Sequence, residues 1–289
     1  MSRQFNRVIS VTIFDPTRAV DNGLEISGLR IAVTIEKDIL GLPNRGKIEI
    51  YNLSGPTISR IEKEFTRIVV NAGYEGDVGI LFIGNIANVF HVRKGADIIT
   101  EIYAADGLLS YNSSYFAQTV GQNVRAPTVV RTVANSFTGL KIGLMEGIPN
   151  VNSSLTGQTL VGSSKDVMNK LSADYNFSWS IQNETIQTFS RASSLTAIVR
   201  ELSSETGMID NPTLTEIGAN AKVLMDRTIN PGNRFVIKAS HPNIKLSNAY
   251  MTGIKPTPGK GIYRVNKVTH TGDNYENKWE SVIEGFIVL

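Results

Sequence analysis

The side chains able to do chemistry in this chain are few. There are no cysteines and only three histidines, His91, His241 and His270. That removes disulfides, thiolate zinc sites, iron–sulfur clusters and cysteine nucleophiles together. A metal site would have to be mostly carboxylate, and no G-x-S-x-G, Walker A or H-E-x-x-H pattern occurs. His91 and His270 are the candidates for a general base, yet each ends a strand-like run beside a turn, where a polar sheet-margin residue is the simpler reading. Asp106, Asp273, Glu280 and Glu284 could supply the two acids of a glycosidase, which need only converge in space. Glu280 and Glu284, however, lie on a strand where alternation alone turns polar residues outward. Trp179 and Trp279 could stack on a sugar. Trp179 shares a period of two with Phe177 and Ile181, so packing is expected, and Trp279 opens the terminal strand as a core residue. Lys255, Lys260, Arg264 and Lys267 form a mild basic cluster around a Pro/Gly loop, read as solvated, with an acidic partner surface as the alternative. The sequence therefore assigns no catalytic, cofactor-binding or metal residue.

The elements that would position these groups carry a repeat. Ile86, Val89 and His91 in NIANVFHV have the spacing of Val265, Val268 and His270 in RVNKVTHT, 179 positions later. Each copy ends a strand-like run, with Gly95 or Gly272 at the expected turn. Each then leads into a second run ending in an acidic residue and glycine, Asp106-Gly107 or Glu284-Gly285. Two related β modules in one chain are expected.

At 289 residues, 41% hydrophobic and 19% charged, the chain reads as an ordinary folded protein of two or three domains. A net charge of +3, mixed in sign along the sequence, gives no nucleic-acid footprint. No apolar run approaches the roughly 20 residues of a membrane helix, and the N-terminus alternates rather than forming a signal core.

Residues 1–107 read as a first β module. Leu29, Ile31, Val33 and Ile35 alternate with polar neighbours, KIEIYNL and RIVVNAGY continue the set, and Ser54 with Pro56 starts a helix carrying Ile58, Ile61 and Phe65. Residues 108–195, rich in Ser, Asn, Thr and Gly, read as a mixed α/β middle domain. It holds helices near Pro127–Phe137 and after a Ser163/Asp166 capping box, a hairpin turning at Gln182–Glu184, and an exposed loop over 143–162. Residues 196–289 return to strands separated by Asn230-Pro231-Gly232, Pro256–Gly261 and Gly272-Asp273.

Those last strands resemble a known family. The stretch from Met208 to Ala239, with its N-P-G turn, and the run of Tyr263, Val265, Val268, His270, Gly272, Asp273 and Trp279 are similar to the C-terminal region of baseplate hub proteins of contractile-tailed bacteriophages. IEIYNLS (Ile48–Ser54), AGYEG (Ala72–Gly76) and LFIGNI (Leu81–Ile86) are similar to the first barrel of the same family. The resemblance implies two tube-type β-barrels flanking the middle domain, in a trimeric ring with six quasi-equivalent positions. It implies a virion protein, made in the host cytoplasm, that adapts a threefold central spike to a sixfold tail tube or adaptor protein. Other baseplate proteins would surround it, and genomic DNA would pass through its lumen without specific binding. No catalytic centre defines the family, so none is expected. The alternatives are a distal tail or tail-tube protein of a non-contractile phage, and a peptidoglycan- or glycan-active tail protein.

Overall fold

The computed structural model describes residues 6–17, 23–153, 157–190, 194–195, 199–215, 217–239, 241–245 and 261–288. Lys255 and Lys260 of the basic cluster lie outside these. The first third holds β1 (Arg7–Phe14), β2 (Leu24–Ile26), β3 (Ile31–Asp38), β4 (Arg45–Tyr51), α1 (Gly55–Glu64), β5 (Arg67–Tyr74), β6 (Asp77–Lys94) and β7 (Asp97–Ala105). Alternation dictates these strands: Ile31, Val33 and Ile35 of β3 and Ile48 and Ile50 of β4 are all inside, with polar residues between them. The predicted cap is in place, since Ser54 Oγ accepts from Thr57 N–H at 3.3 Å and Pro56 falls in the first turn of α1.

The middle third holds α2 (Leu108–Ser113), β8 (Tyr115–Val120), α3 (Ala126–Ala134), β9 (Lys141–Met145), β10 (Gln158–Ser163), α4 (Ser164–Asp174), β11 (Phe177–Gln182) and β12 (Thr185–Ser190). Val130, Val133, Met168, Leu171, Phe177, Trp179 and Ile186 form its own apolar cluster. Three expectations need correction. Helix α2 and strand β8 lie in a stretch whose Ser and Asn content argued for loops. The 143–162 stretch includes the end of β9 and most of β10. Ser163 does precede α4, but its side chain makes no capping hydrogen bond.

The last third holds β13 (Val199–Leu202), β14 (Thr213–Leu214), β15 (Gly218–Leu224), β16 (Arg234–Ile237), β17 (Asn243–Ile244), β18 (Ile262–Asp273) and β19 (Trp279–Ile287). Strands from both ends of the chain join one 14-stranded sheet, with the main path β17-β14-β15-β19-β18-β3-β4-β7-β6-β5-β1-β2. The seam is β3 against β18, antiparallel, from Lys267 opposite Asp38 to Asp273 opposite Ala32. That sheet is rolled. Trp279 on β19 and Tyr74 on β5 are six strand spacings apart along it, about 29 Å if it were flat. Their rings are 6.1 Å apart. Trp279 and Met225 accordingly belong to the apolar cluster of the first third.

Candidate functional site

The internal repeat survives as ladder register. In β6–β7, Ile86 faces Ala104, Asn88 faces Tyr103 and His91 faces Thr100, with a register shift at Ala87. In β18–β19, Val265 faces Gly285, Lys267 faces Glu284 and His270 faces Ser281, with the shift at Asn266. One extra residue therefore interrupts both copies at the same place, a β-bulge that restores the inward face beyond it. Each histidine meets a hydroxyl across the ladder: His91 Nδ1 and Thr100 Oγ1 at 3.2 Å, His270 Nδ1 and Ser281 Oγ at 2.7 Å.

The correspondence extends to neighbours the sequence does not reveal. β4 lies on β7 with Ile48 opposite Ile102, as β15 lies on β19 with Ala221 opposite Ile283. β3 faces β4 with Ile35 opposite Gly46, as β14 faces β15 with Leu214 opposite Ala219. β5 faces β6 with Arg67 opposite Asn85, as β16 faces β18 with Arg234 opposite Arg264. Five strands in the order β3-β4-β7-β6-β5 thus match β14-β15-β19-β18-β16 rung for rung. Two details of the expected repeat are corrected by the same registers. Gly272 does not turn but pairs with Trp279 inside the hairpin. Asp106 follows the end of β7, whereas Glu284 lies within β19 opposite the bulge, so the two acidic-Gly pairs are not equivalent.

Where the two halves and the middle third meet there is a buried polar node. The β11–β12 turn has both central residues at positive φ, Asn183 at 50° and Glu184 at 60°, the two-residue geometry that suits a hairpin's twist. Their successive N–H groups donate to the carboxylate of Asp106, at 2.5 and 2.7 Å. Lys37, fully buried on β3, donates to Asn230 Oδ1 at 2.9 Å and to Asn183 Oδ1 at 3.5 Å. Asn44 donates to Ile181 C=O at 2.8 Å, and Gln182 donates to Asp38 C=O at 2.8 Å. Arg67 pairs with Glu184 beside them. Burial pushes Lys37 below the ordinary lysine range, opposed by the attraction of Asp106. Burial likewise pushes Asp106 up, opposed by the two N–H donors and Lys37.

His270 is close by, and the expectation of a sheet-margin residue is wrong for it. β3 covers β18, so the ring is fully buried. Burial first, then the nearby Lys37 charge, hold it well below the usual histidine range, opposed by a backbone contact at Ile229. Ser281 Oγ, which accepts from Asp226 N–H at 3.2 Å, lies 2.7 Å from His270 Nδ1 across the ladder.

The other nominated residues are engaged in structural contacts. Asp273 accepts from Arg30 Nη2 at 2.8 Å and from Tyr275 N–H at 2.8 Å. Glu280 pairs with Lys222 at 3.0 Å. Glu284 lines a cleft of about 770 Å³ with Glu36, Asp38, Arg264 and Lys267. Trp179 is buried, donates to Asn169 Oδ1 at 2.9 Å and packs beneath Gly41, so it offers no open face to a sugar. Among the described residues no three His, Asp or Glu side chains cluster as metal ligands, and no helix is long and apolar enough to cross a membrane. Lys37 belongs to no motif in the sequence, although the β3 alternation Ile31, Val33, Ile35 points it inward.

The family model for baseplate hub gp41 matches residues 8–253. The chain belongs to the baseplate hub gp41 family. It is a structural component of a phage tail baseplate, and so of the virion. No curated protein matches it. Among solved structures it resembles the tail protein of Neisseria meningitidis MC58 at 8% identity, with a TM-score of 0.61 over 98% of this chain and 97% of that one. It resembles the 43 kDa tail protein of prophage MuSo2 from Shewanella oneidensis at 10% identity, TM-score 0.57, over 96% of each. A type VI secretion component of E. coli, described as structurally similar to the T4 tail proteins gp27 and gp5, matches at 10% identity, TM-score 0.56, over 89% and 73%. These likenesses share the mainly β fold of the hub.

Proposed function

We propose that three copies of this hub form a ring that adapts a threefold central spike to a sixfold tail tube. The observation that carries this reading is the five-strand repeat with matched registers. A chain holding two equivalent modules offers six similar positions in a trimer, while the middle domain and the differences between modules keep threefold symmetry. In this reading residues 1–107 and 196–289 are the two tube-type β-barrel modules, 108–195 form the mixed α/β middle domain between them, and other baseplate proteins surround the ring. Genomic DNA passes through the lumen without specific binding, and the hub itself carries no catalytic function. Light scattering behind size exclusion tests the reading. A mass of three chains that shifts on adding the cognate spike protein is expected. A mass of six chains, or a three-chain particle that ignores both spike and tube proteins, overturns it.

A further inference from the structure

The matched registers expose one unfilled position. On β18, residues 267–273 carry β19 on one side and β3 on the other. Their counterparts on β6, Asn88–Lys94, carry β7 on one side. Among the described residues no strand pairs with their other side, because β5 ends its ladder at Asn85. Exposure follows the difference: Val268 and His270 are fully buried, whereas of their counterparts Val89 is half-buried and His91 exposed, and Phe90 and Val92 on the other face are 52% and 44% exposed. A strand edge this long, flanked by apolar side chains, is a template for another strand.

The occupant can be read from inside the chain. What covers β18 is β3, and the counterpart of β3 in the second repeat is the segment beginning at β14. That segment sits near the far end of the sheet, its outer side held, among the described residues, only by the two-residue β17. Two backbone bonds keep β17 there, Asn243 N–H to Pro212 C=O and Lys245 N–H to Leu214 C=O, both 2.9 Å. Both residues of β17 are exposed. Among the described residues the Asn88–Lys94 edge is therefore bare and the β14 edge thinly covered, and these are equivalent to the two edges that meet at the chain's own seam.

We propose that the Asn88–Lys94 edge of one copy pairs antiparallel with the β14 edge of a second copy, displacing β17. The register follows the internal seam. Leu214 stands opposite His91, as Ile35 stands opposite His270. Thr215 then falls opposite Phe90 and Thr213 opposite Val92, while Pro212, opposite Arg93, can accept there but has no N–H to give. The same register brings the basic tip, Arg93 and Lys94, beside the exposed Asp210. Front-to-back contacts of this kind repeat from copy to copy until the ring closes. The inference rests on the trimeric reading and adds to it the strands that join the copies.

The test uses the absence of native cysteines. F90C and T215C are combined in one chain. They take the place of Thr269 and Glu36 at the seam, a non-hydrogen-bonded pair whose close Cα spacing suits a disulfide. The mass of the reduced variant is measured first. Expected are three chains in solution and, after mild oxidation, covalent dimers and trimers but nothing larger, with neither single variant forming trimers. A three-chain particle in which both thiols stay free or link within one chain overturns the edge pairing and leaves the trimer standing. A reduced protein that stays monomeric overturns both. Covalent chains running past three support the edge pairing and overturn the closed ring.

Discussion

Replacing Asp106 by alanine should unpick the node that joins the three parts of the chain. The carboxylate accepts two half-buried N–H groups, from Asn183 and Glu184, and offsets the charge of fully buried Lys37. Each orphaned donor costs about 1 kcal/mol at partial burial, and stranding a buried cation adds about 1–3 kcal/mol after it sheds its proton. D106A is therefore expected to lose about 3–5 kcal/mol. At a urea m-value of about 3 kcal/mol/M, that moves the midpoint by at least about 1 M. Tryptophan fluorescence can follow it, because Trp179 lies in the middle cluster and Trp279 in the first. The double variant K37M/D106A removes the stranded cation and should recover about 1–3 kcal/mol of the loss. A D106A midpoint within about 0.2 M of wild type, or losses that simply add, would refute the account.

Two further outcomes follow from the same packing. The folded state keeps His270 neutral, so the unfolded chain takes up a proton below its own pKa of about 6.5. Stability is present above that value and is lost on acidification, by about 2 kcal/mol at pH 5. Asp106, raised in the fold, works in the opposite sense, so the decisive readout is the difference in slope of stability between pH 7 and 5. H270Q should flatten that slope, and an unchanged slope refutes the assignment. A Cβ at Gly218 would lie 1.9 Å from Gly285 C=O, while one at Gly55 meets nothing within 4 Å. G218V should lose about 3 kcal/mol or fail to fold by forcing β15 off β19, with G55A a near-neutral control. Equal thermal stability of the two variants would contradict the close β15–β19 packing.

What the sequence shows of this fold is what one strand can carry by itself. The spacing Ile86-Val89-His91, repeated at Val265-Val268-His270, breaks strict alternation by one residue, and that break is the bulge both hairpins share. β4 and β15 occupy matching places with unlike sequences, RGKIEIY against GANAKVL, because a ladder constrains backbone hydrogen bonds and inward bulk more than residue identity. The burial of His270 comes from β3, far away along the chain, and no local pattern encodes a neighbour at that separation. Asp106 stood out as an acid, but its role depends on a turn reached only after the whole middle domain. The C-terminal residues that carry the family resemblance, Tyr263 to Trp279, fall beyond the matched 8–253 region. The reading therefore rests on both ends of the chain.

The β3–β18 seam also sets a timetable for synthesis. About 220 residues separate the end of β3 from the start of β18, which takes about 11–45 s of translation at 5–20 residues per second. During that interval the emerging first third has strands able to pair among themselves. It lacks the cover for β3, and it lacks Met225 and Trp279, which complete its core. An uncovered edge beside an unfilled core is the state in which nascent β proteins associate wrongly. Contacts between distant parts of the chain also slow the final closure. The seam that makes the finished molecule one continuous sheet thus makes its first-made half the vulnerable one on the ribosome.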